Sequence, residues 1–189
     1  MKQIILFLSI FLLVINFNSC KKKTEEKKNE LPTGENTFYC YIDGELYVPK
    51  GDGWAIPKIK GLNYIKCDID SPSFFIRAYN VENKKAINIH FENGIENTGA
   101  ITLMQSNYDT CDMNTCNAYL AVVENVNGIS TSKWYFTHDG TGTVDITYLS
   151  NDKKHFIGTF DMIVYHEDTN APIHITDGHF NINLNTFFN

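Results

Sequence analysis

From Thr37 onward, apolar and polar residues alternate in short runs bounded by Gly, Asn, Asp and Pro. A period of two marks strands that bury one face. Such runs fall at residues 37–42, 45–48, 63–70, 73–80, 86–92, 100–104, 117–124, 133–137, 143–149, 155–165 and 173–184. Asp43-Gly44 suits the positive φ angles of a type I′ hairpin turn. Asp70-Ser71-Pro72, Asn93-Gly94, Asn127-Gly128 and Asn151-Asp152 punctuate later runs. Asp139-Gly140-Thr141-Gly142 reads as one more hairpin turn, joining 133–137 to 143–149. No stretch carries a helical stripe. The pattern predicts an all-β domain, an antiparallel β-sandwich of about ten short strands. A lipocalin-like barrel is the alternative, although Gly51-Asp52-Gly53-Trp54 lacks the spacing of the lipocalin Gly-x-Trp.

The alternation assigns faces. Phe38, Cys40 and Ile42 share one, as do Ile65, Cys67 and Ile69, and Ile87, Ile89 and Phe91. Phe156, Gly158, Phe160 and Met162 form another set, and Phe180, Ile182 and Leu184 the last. Gly158 in mid-strand implies a bend or a close approach over it. Tyr39, Tyr41, Tyr64, Phe75, Tyr79, Tyr119 and Tyr135 fall opposite these core positions and are expected to point outward.

The N-terminus departs from this rhythm. Residues 4–15 are an apolar run broken only by Ser9. That is too short for a membrane-spanning helix, which needs about 20 residues, and suits the apolar region of a secretory signal. Phe17-Asn18-Ser19-Cys20 follows and resembles a bacterial lipobox. The resemblance implies cleavage before Cys20, diacylation of its thiol (palmitate or a similar chain) and acylation of the new amine, which together supply stable anchoring. Residues 21–30 contain no apolar side chain and are expected to form a solvated tether. Lys23-Thr24-Glu25-Glu26 loosely resembles the short charged signal of surface-exported lipoproteins. The expected organisation is a signal peptide at 1–19, lipidated Cys20 and tether at 20–36, and a single β-domain at 37–189.

Composition adds two constraints. Hydrophobic residues at 43% with charged residues at 20% are sufficient for a packed core. The net charge of −6 argues against a nucleic-acid partner, which calls for a basic face. Setting Cys20 aside leaves Cys40, Cys67, Cys111 and Cys116, an even number in an exported chain, and three pairings are open. Cys111–Cys116 would pin a polar loop. Cys40 and Cys67 would meet across the core, or remain reduced inside it.

The two ends of the body resemble a group of small Bacteroidota lipoproteins of unknown function. The likeness is carried by Phe38-Tyr39-Cys40-Tyr41-Ile42-Asp43-Gly44, by Gly158-Thr159-Phe160 and by Ile175-Thr176-Asp177-Gly178-His179-Phe180-Asn181-Ile182. It implies a β-sandwich and a periplasmic or cell-surface lipoprotein and transfers no catalytic residue; the expected location of the lipid-anchored chain is the outer membrane or cell surface.

Candidate chemistry is sparse. Neither a Gly-x-Ser-x-Gly elbow nor a phosphate-cradling Gly-rich loop occurs. His174, Asp177 and His179, with His166 or Glu167, form the one local cluster of transition-metal ligand types. Asp109, Asp112, Asn114 and Asn117 crowd one loop with calcium-type oxygens, without the Asp-x-Asp-x-Asp-Gly pattern. Both are read as solvated or turn residues, so no catalytic residue, metal or cofactor is assigned. The leading feature is the aromatic outer face, with Tyr39, Tyr41, Tyr64 and Tyr79 as candidate ligand contacts. A lipid-anchored, non-catalytic module binding a glycan, a peptide or an envelope protein fits it. An envelope hydrolase with a dispersed site and an apolar-ligand carrier are the alternatives.

Replacing Cys20 by Ser is expected to abolish fatty-acid labelling and release the chain from membranes or leave it as uncleaved precursor. Persistent labelling of the Cys20→Ser variant in membranes contradicts the lipobox reading.

Overall fold

In a computed structural model, residues 31–51, 61–66, 72–106, 116–126 and 128–187 are described. Cys20, Cys67, Cys111, Trp54 and the expected tether at 21–30 lie outside them, as do the side chains of Tyr64 and Cys116. Ten strands form: β1 Thr37–Ile42, β2 Glu45–Tyr47, β3 Leu62–Lys66, β4 Phe74–Asn80, β5 Lys85–Phe91, β6 Gly99–Thr102, β7 Cys116–Val126, β8 Ile129–Leu149, β9 His155–His166 and β10 Pro172–Asn183. A single turn of helix, α1, spans Leu184–Phe187. The fold is all-β, as the alternation predicts. The strands make one antiparallel sheet in the order β2-β1-β10-β9-β8-β7-β5-β4-β3, with β6 beside β8. The sheet curls into a half-barrel.

The curl follows from what the inner face must bury. Phe38, Phe91, Phe156, Phe160 and Phe180 fill the interior with Ile76, Ile87, Ile89, Leu103 and Leu120, all essentially without solvent contact. Their rings meet at centroid separations of 5.2 Å for Phe38–Phe160 and 6.1 Å for Phe156–Phe180, within the range of favourable aromatic packing. Two glycines make room for these rings. A Cβ at Gly158 would lie 2.5 Å from Phe180 Cζ and 2.8 Å from the Asp145 carbonyl, and one at Gly178 would lie 2.4 Å from Phe160. The mid-strand glycine therefore marks the close approach expected of it.

The two ends of the strand order are tied together. Tyr47 of β2 is buried, and its hydroxyl lies 2.6 Å from the Ala78 carbonyl of β4 and 3.1 Å from the Lys85 carbonyl of β5, sharing its proton between them. Beyond β2, Lys50 forms a parallel bridge with Asn80, donating to Tyr79 O and accepting from Val81 N. Asn80 Nδ2 donates to Val48 O at 2.8 Å. Lys50 also pairs with Glu82 at 2.6 Å, but both side chains are exposed, so this pair adds little.

Asp43 and Gly44, with φ of 49° and 85°, form the expected turn between β1 and β2. The expected hairpin at Asp139-Gly140-Thr141-Gly142 is corrected: β8 runs straight through it as one strand, with a register shift between Thr137 and Gly142. The chain does not turn back because its polar groups are met in place. Gly140 N donates to Leu103 O, Gly142 O accepts from Leu103 N, and Asp139 Oδ1 accepts from Gln105 N. The shift lets one strand take β7 as its neighbour before the bulge and β6 after it.

Cys40 is a free, fully buried thiol rather than half of a bridge. It pairs with Tyr47, which touches the Ala78 end of β4. Burial pushes the Cys40 thiol pKa well up, keeping it protonated and inert.

Gly158→Ala is expected to destabilise the domain by about 1–3 kcal/mol, because the added methyl meets both a packed ring and a backbone carbonyl. Tyr47→Phe is expected to lose about 1–2 kcal/mol through the orphaned carbonyls. Urea denaturation measures both, and unchanged midpoints contradict this account of the interior.

Candidate functional site

The outer face of the sheet carries the chemistry. Across β4, β5, β7, β8 and β9, cross-strand register builds two adjacent rows. One row is Tyr79, Ala86, Ala121 and Trp134. The other is Arg77, Asn88, Tyr119, Phe136 and Tyr165. Residues two apart on a strand share a face, so the rows lie side by side.

The first row, called the seat below, sets two small, buried side chains between two aromatic ones. Ala86 and Ala121, at 9% and 8% exposure, form a floor of methyl groups. Tyr79 and Trp134 stand at its ends, three strand spacings apart, or roughly 14 Å between backbones. Both aromatic residues are half-buried. The second row walls the long side. Tyr119 packs on Trp134 at 5.6 Å and on Phe136 at 6.2 Å between centroids, both tilted. Arg77 Nε donates to Asn88 Oδ1 at 2.7 Å, and Arg77 Nη2 reaches the Tyr119 hydroxyl at 3.5 Å. Asn88 is 1% exposed, and its Nδ2 has no hydrogen-bond partner. Further along the second row, His138 stacks on Tyr165 at 4.5 Å.

The candidates expected from sequence do not converge. Tyr79 stands at the end of this seat. Tyr39 and Tyr41 are half-buried on β1, whose neighbour β2 reaches β4 and β5 through Tyr47. Tyr39 stacks instead on His179 of β10 at 5.3 Å. Tyr64 is registered with the core residue Ile76, whereas Ile65 pairs with the outer-face Phe75. Tyr135, expected outside, is corrected: it packs against the core and meets His166 edge-on at 5.0 Å. Its face is reversed because Leu120, its partner, is a core residue. Trp134, Phe136 and Tyr165 were not singled out. The signal available was their own spacing of two residues, 134 and 136, which moves opposite faces into view once β8 is seen as one long strand.

The histidines serve local structure. His174 N donates to Asp43 Oδ1 at 2.9 Å and its carbonyl accepts from Asp43 N, clasping the β1–β2 turn. His166 Nδ1 accepts from Asp168 N and Thr169 N. Desolvation lowers the His179 pKa. Among the described residues, no three His, Cys, Asp or Glu side chains are grouped so as to hold a metal ion. Ser73 Oγ and His90 Nε2 lie 2.7 Å apart, a nucleophile–base pairing in type. Both are buried, at 4% and 0% exposure, and His90 is stacked under Phe75 at 4.3 Å. The pair joins Ser73, the residue before β4, to β5. Among the described residues, no helix is long and apolar enough to cross a membrane.

The chain matches no protein-family model, and no curated protein or solved structure matches it.

Burial holds His90 below the ordinary histidine pKa of 6.5, against a smaller upward pull from Glu92. The unfolded chain therefore takes up a proton below pH 6.5 that the folded chain refuses, so stability falls as pH drops through that value. His90→Gln is expected to flatten this slope in urea midpoints between pH 7.5 and 5. Equal slopes for the two proteins contradict it.

Proposed function

We propose that the chain is a lipid-anchored, non-catalytic binding module of the bacterial cell envelope, held at the outer membrane or cell surface through Cys20. Its ligand is a glycan, taken on the seat between Tyr79 and Trp134. The lipobox-like Ser19-Cys20 and the resemblance of the two ends of the body to small Bacteroidota lipoproteins support the anchoring. The observation that carries the binding reading is the alanine floor. Ala86 and Ala121 put no large side chain between two aromatic ends, and the half-buried rings of Tyr119 and Trp134 beside them give a sugar ring flat faces to stack on. Aromatic faces with hydroxyl and amide neighbours suit sugars, whose rings present C–H on their faces and hydroxyls at their edges.

The other occupants are less well supported. An interior filled by five phenylalanines favours an outer-face ligand over an apolar cargo carried inside. The enclosure of the Ser73–His90 pair favours binding over hydrolysis. We also read the half-barrel as nearer to a barrel than to a sandwich, since one hydrogen-bonded path runs from β2 to β3 and its ends meet at Tyr47 and Lys50.

On a glycan array, the full chain in detergent is expected to bind. Tyr119→Ala and Trp134→Ala are each expected to remove roughly 0.5–1.5 kcal/mol of affinity or more. Tyr39→Ala with Tyr41→Ala is expected to leave binding intact. Absence of glycan binding, or equal loss from the β1 pair, overturns the assignment.

A further inference from the structure

Arg77 is the only arginine in the chain. The chain is acidic overall, yet among the described residues this one guanidinium has no carboxylate partner. Among the described residues the ion pairs are Lys50–Glu82, Lys133–Glu124 and Lys153–Glu96. Arg77 is instead held by two neutral acceptors, Asn88 Oδ1 and, at longer range, the Tyr119 hydroxyl. They orient the guanidinium plane without neutralising it and, among the described residues, leave its other N–H donors without a protein acceptor. The side chain is half-buried on the long side of the seat, between Phe75 and Tyr79 on the same strand face.

A second observation points the same way. The bond from Arg77 commits Asn88 Oδ1 as acceptor, which turns the Asn88 Nδ2 donor the other way. That donor is buried and unpartnered. A buried donor without an acceptor is unfavourable, and an incoming oxygen that reaches it removes the penalty. The site therefore offers a fixed, unpaired planar cation and a spare amide donor beside an aromatic seat.

Resting on the reading of this seat as a glycan site, we propose that the sugar it takes carries a carboxylate, as a uronic-acid residue does. The ring lies on the alanine floor against Tyr119 and Trp134, and its carboxylate accepts from Arg77. Arg77 stands one row from the floor, roughly 7 Å along the strand, a distance comparable with the breadth of a pyranose and its exocyclic carboxylate. The guanidinium fork matches a carboxylate in both charge and geometry, and lysine does not reproduce that match.

The test is an array of uronate oligosaccharides printed both as free acids and as methyl esters, probed with the full chain. The acids are expected to bind, and their esters to bind about ten- to a hundredfold more weakly. Arg77→Gln is expected to bring the acids down to the level of the esters, and Arg77→Lys to recover only part of the difference. The ester comparison uses the unaltered protein, so it decides the matter even where Arg77→Gln proves unstable. Equal binding of acid and ester, or neutral glycans bound in preference to uronates, overturns the carboxylate assignment and leaves the glycan reading standing. Undiminished acid binding by Arg77→Gln also overturns it. Competition by polyglutamate as strong as by the acids overturns the sugar class in favour of an acidic peptide. If no glycan of any kind binds, the reading of the seat falls and this inference falls with it.

Discussion

The buried Tyr47 hydroxyl is the contact on which the shape of the domain turns. An antiparallel sheet with one apolar face must cover that face, and a single sheet can do so only by curling over itself. Here β2, at one end of the strand order, brings Tyr47 to the carbonyls of Ala78 and Lys85 on β4 and β5, near the other end. Lys50 and Asn80 extend the tie through the backbone. Each such bond adds only about 1 kcal/mol net, but the carbonyls it satisfies would otherwise be buried without partners. The inner volume so defined is then taken up by phenylalanine rings, with glycines set where two rings need backbone-close approach.

A filled interior leaves the outer face of the sheet as the surface on which the proposed binding rests. The outer rows of β4 to β9 are half-buried, aromatic and polar by turns, and they are positioned by the same register that packs the core. Because Ile87 and Leu120 are partners inside, Ala86 and Ala121 are partners outside. The small residues there lower the surface between Tyr79 and Trp134. Asn88 and Arg77 are placed one row over by the same pairing. The seat is thus a consequence of strand register, with no loop required to build it.

Much of this architecture could be read from alternation alone. The strands, the Asp43-Gly44 turn and the tight packing over Gly158 all follow from local pattern and turn chemistry. Four features were not legible. The continuity of β8 depends on Leu103 and Gln105 meeting the polar groups of residues 139–142, a long-range event that Asp-Gly propensity conceals. The face of Tyr135 is set by its cross-strand partner, the core residue Leu120, and the same pairing sends Trp134 and Phe136 to the outer face, which the residues of β8 alone do not reveal. Tyr39 and Tyr41 do share the outer face, as the period of two requires. That Tyr39 stacks on His179 depends on the pairing of β1 with β10, about which periodicity carries no information. The partnership of Arg77 with Asn88 is cross-strand and equally invisible in one dimension, although the solitary arginine was there to be counted.

The claim that the outer seat, rather than the interior, receives the ligand is tested most directly by nuclear magnetic resonance during titration with a bound oligosaccharide. The account predicts that the Ala86 and Ala121 methyls and the Trp134 indole shift first and furthest, while the rings of Phe156, Phe160 and Phe180 stay in place. Shifts centred on those phenylalanines, or on Tyr39 and His179 at the other side of the sheet, would contradict it.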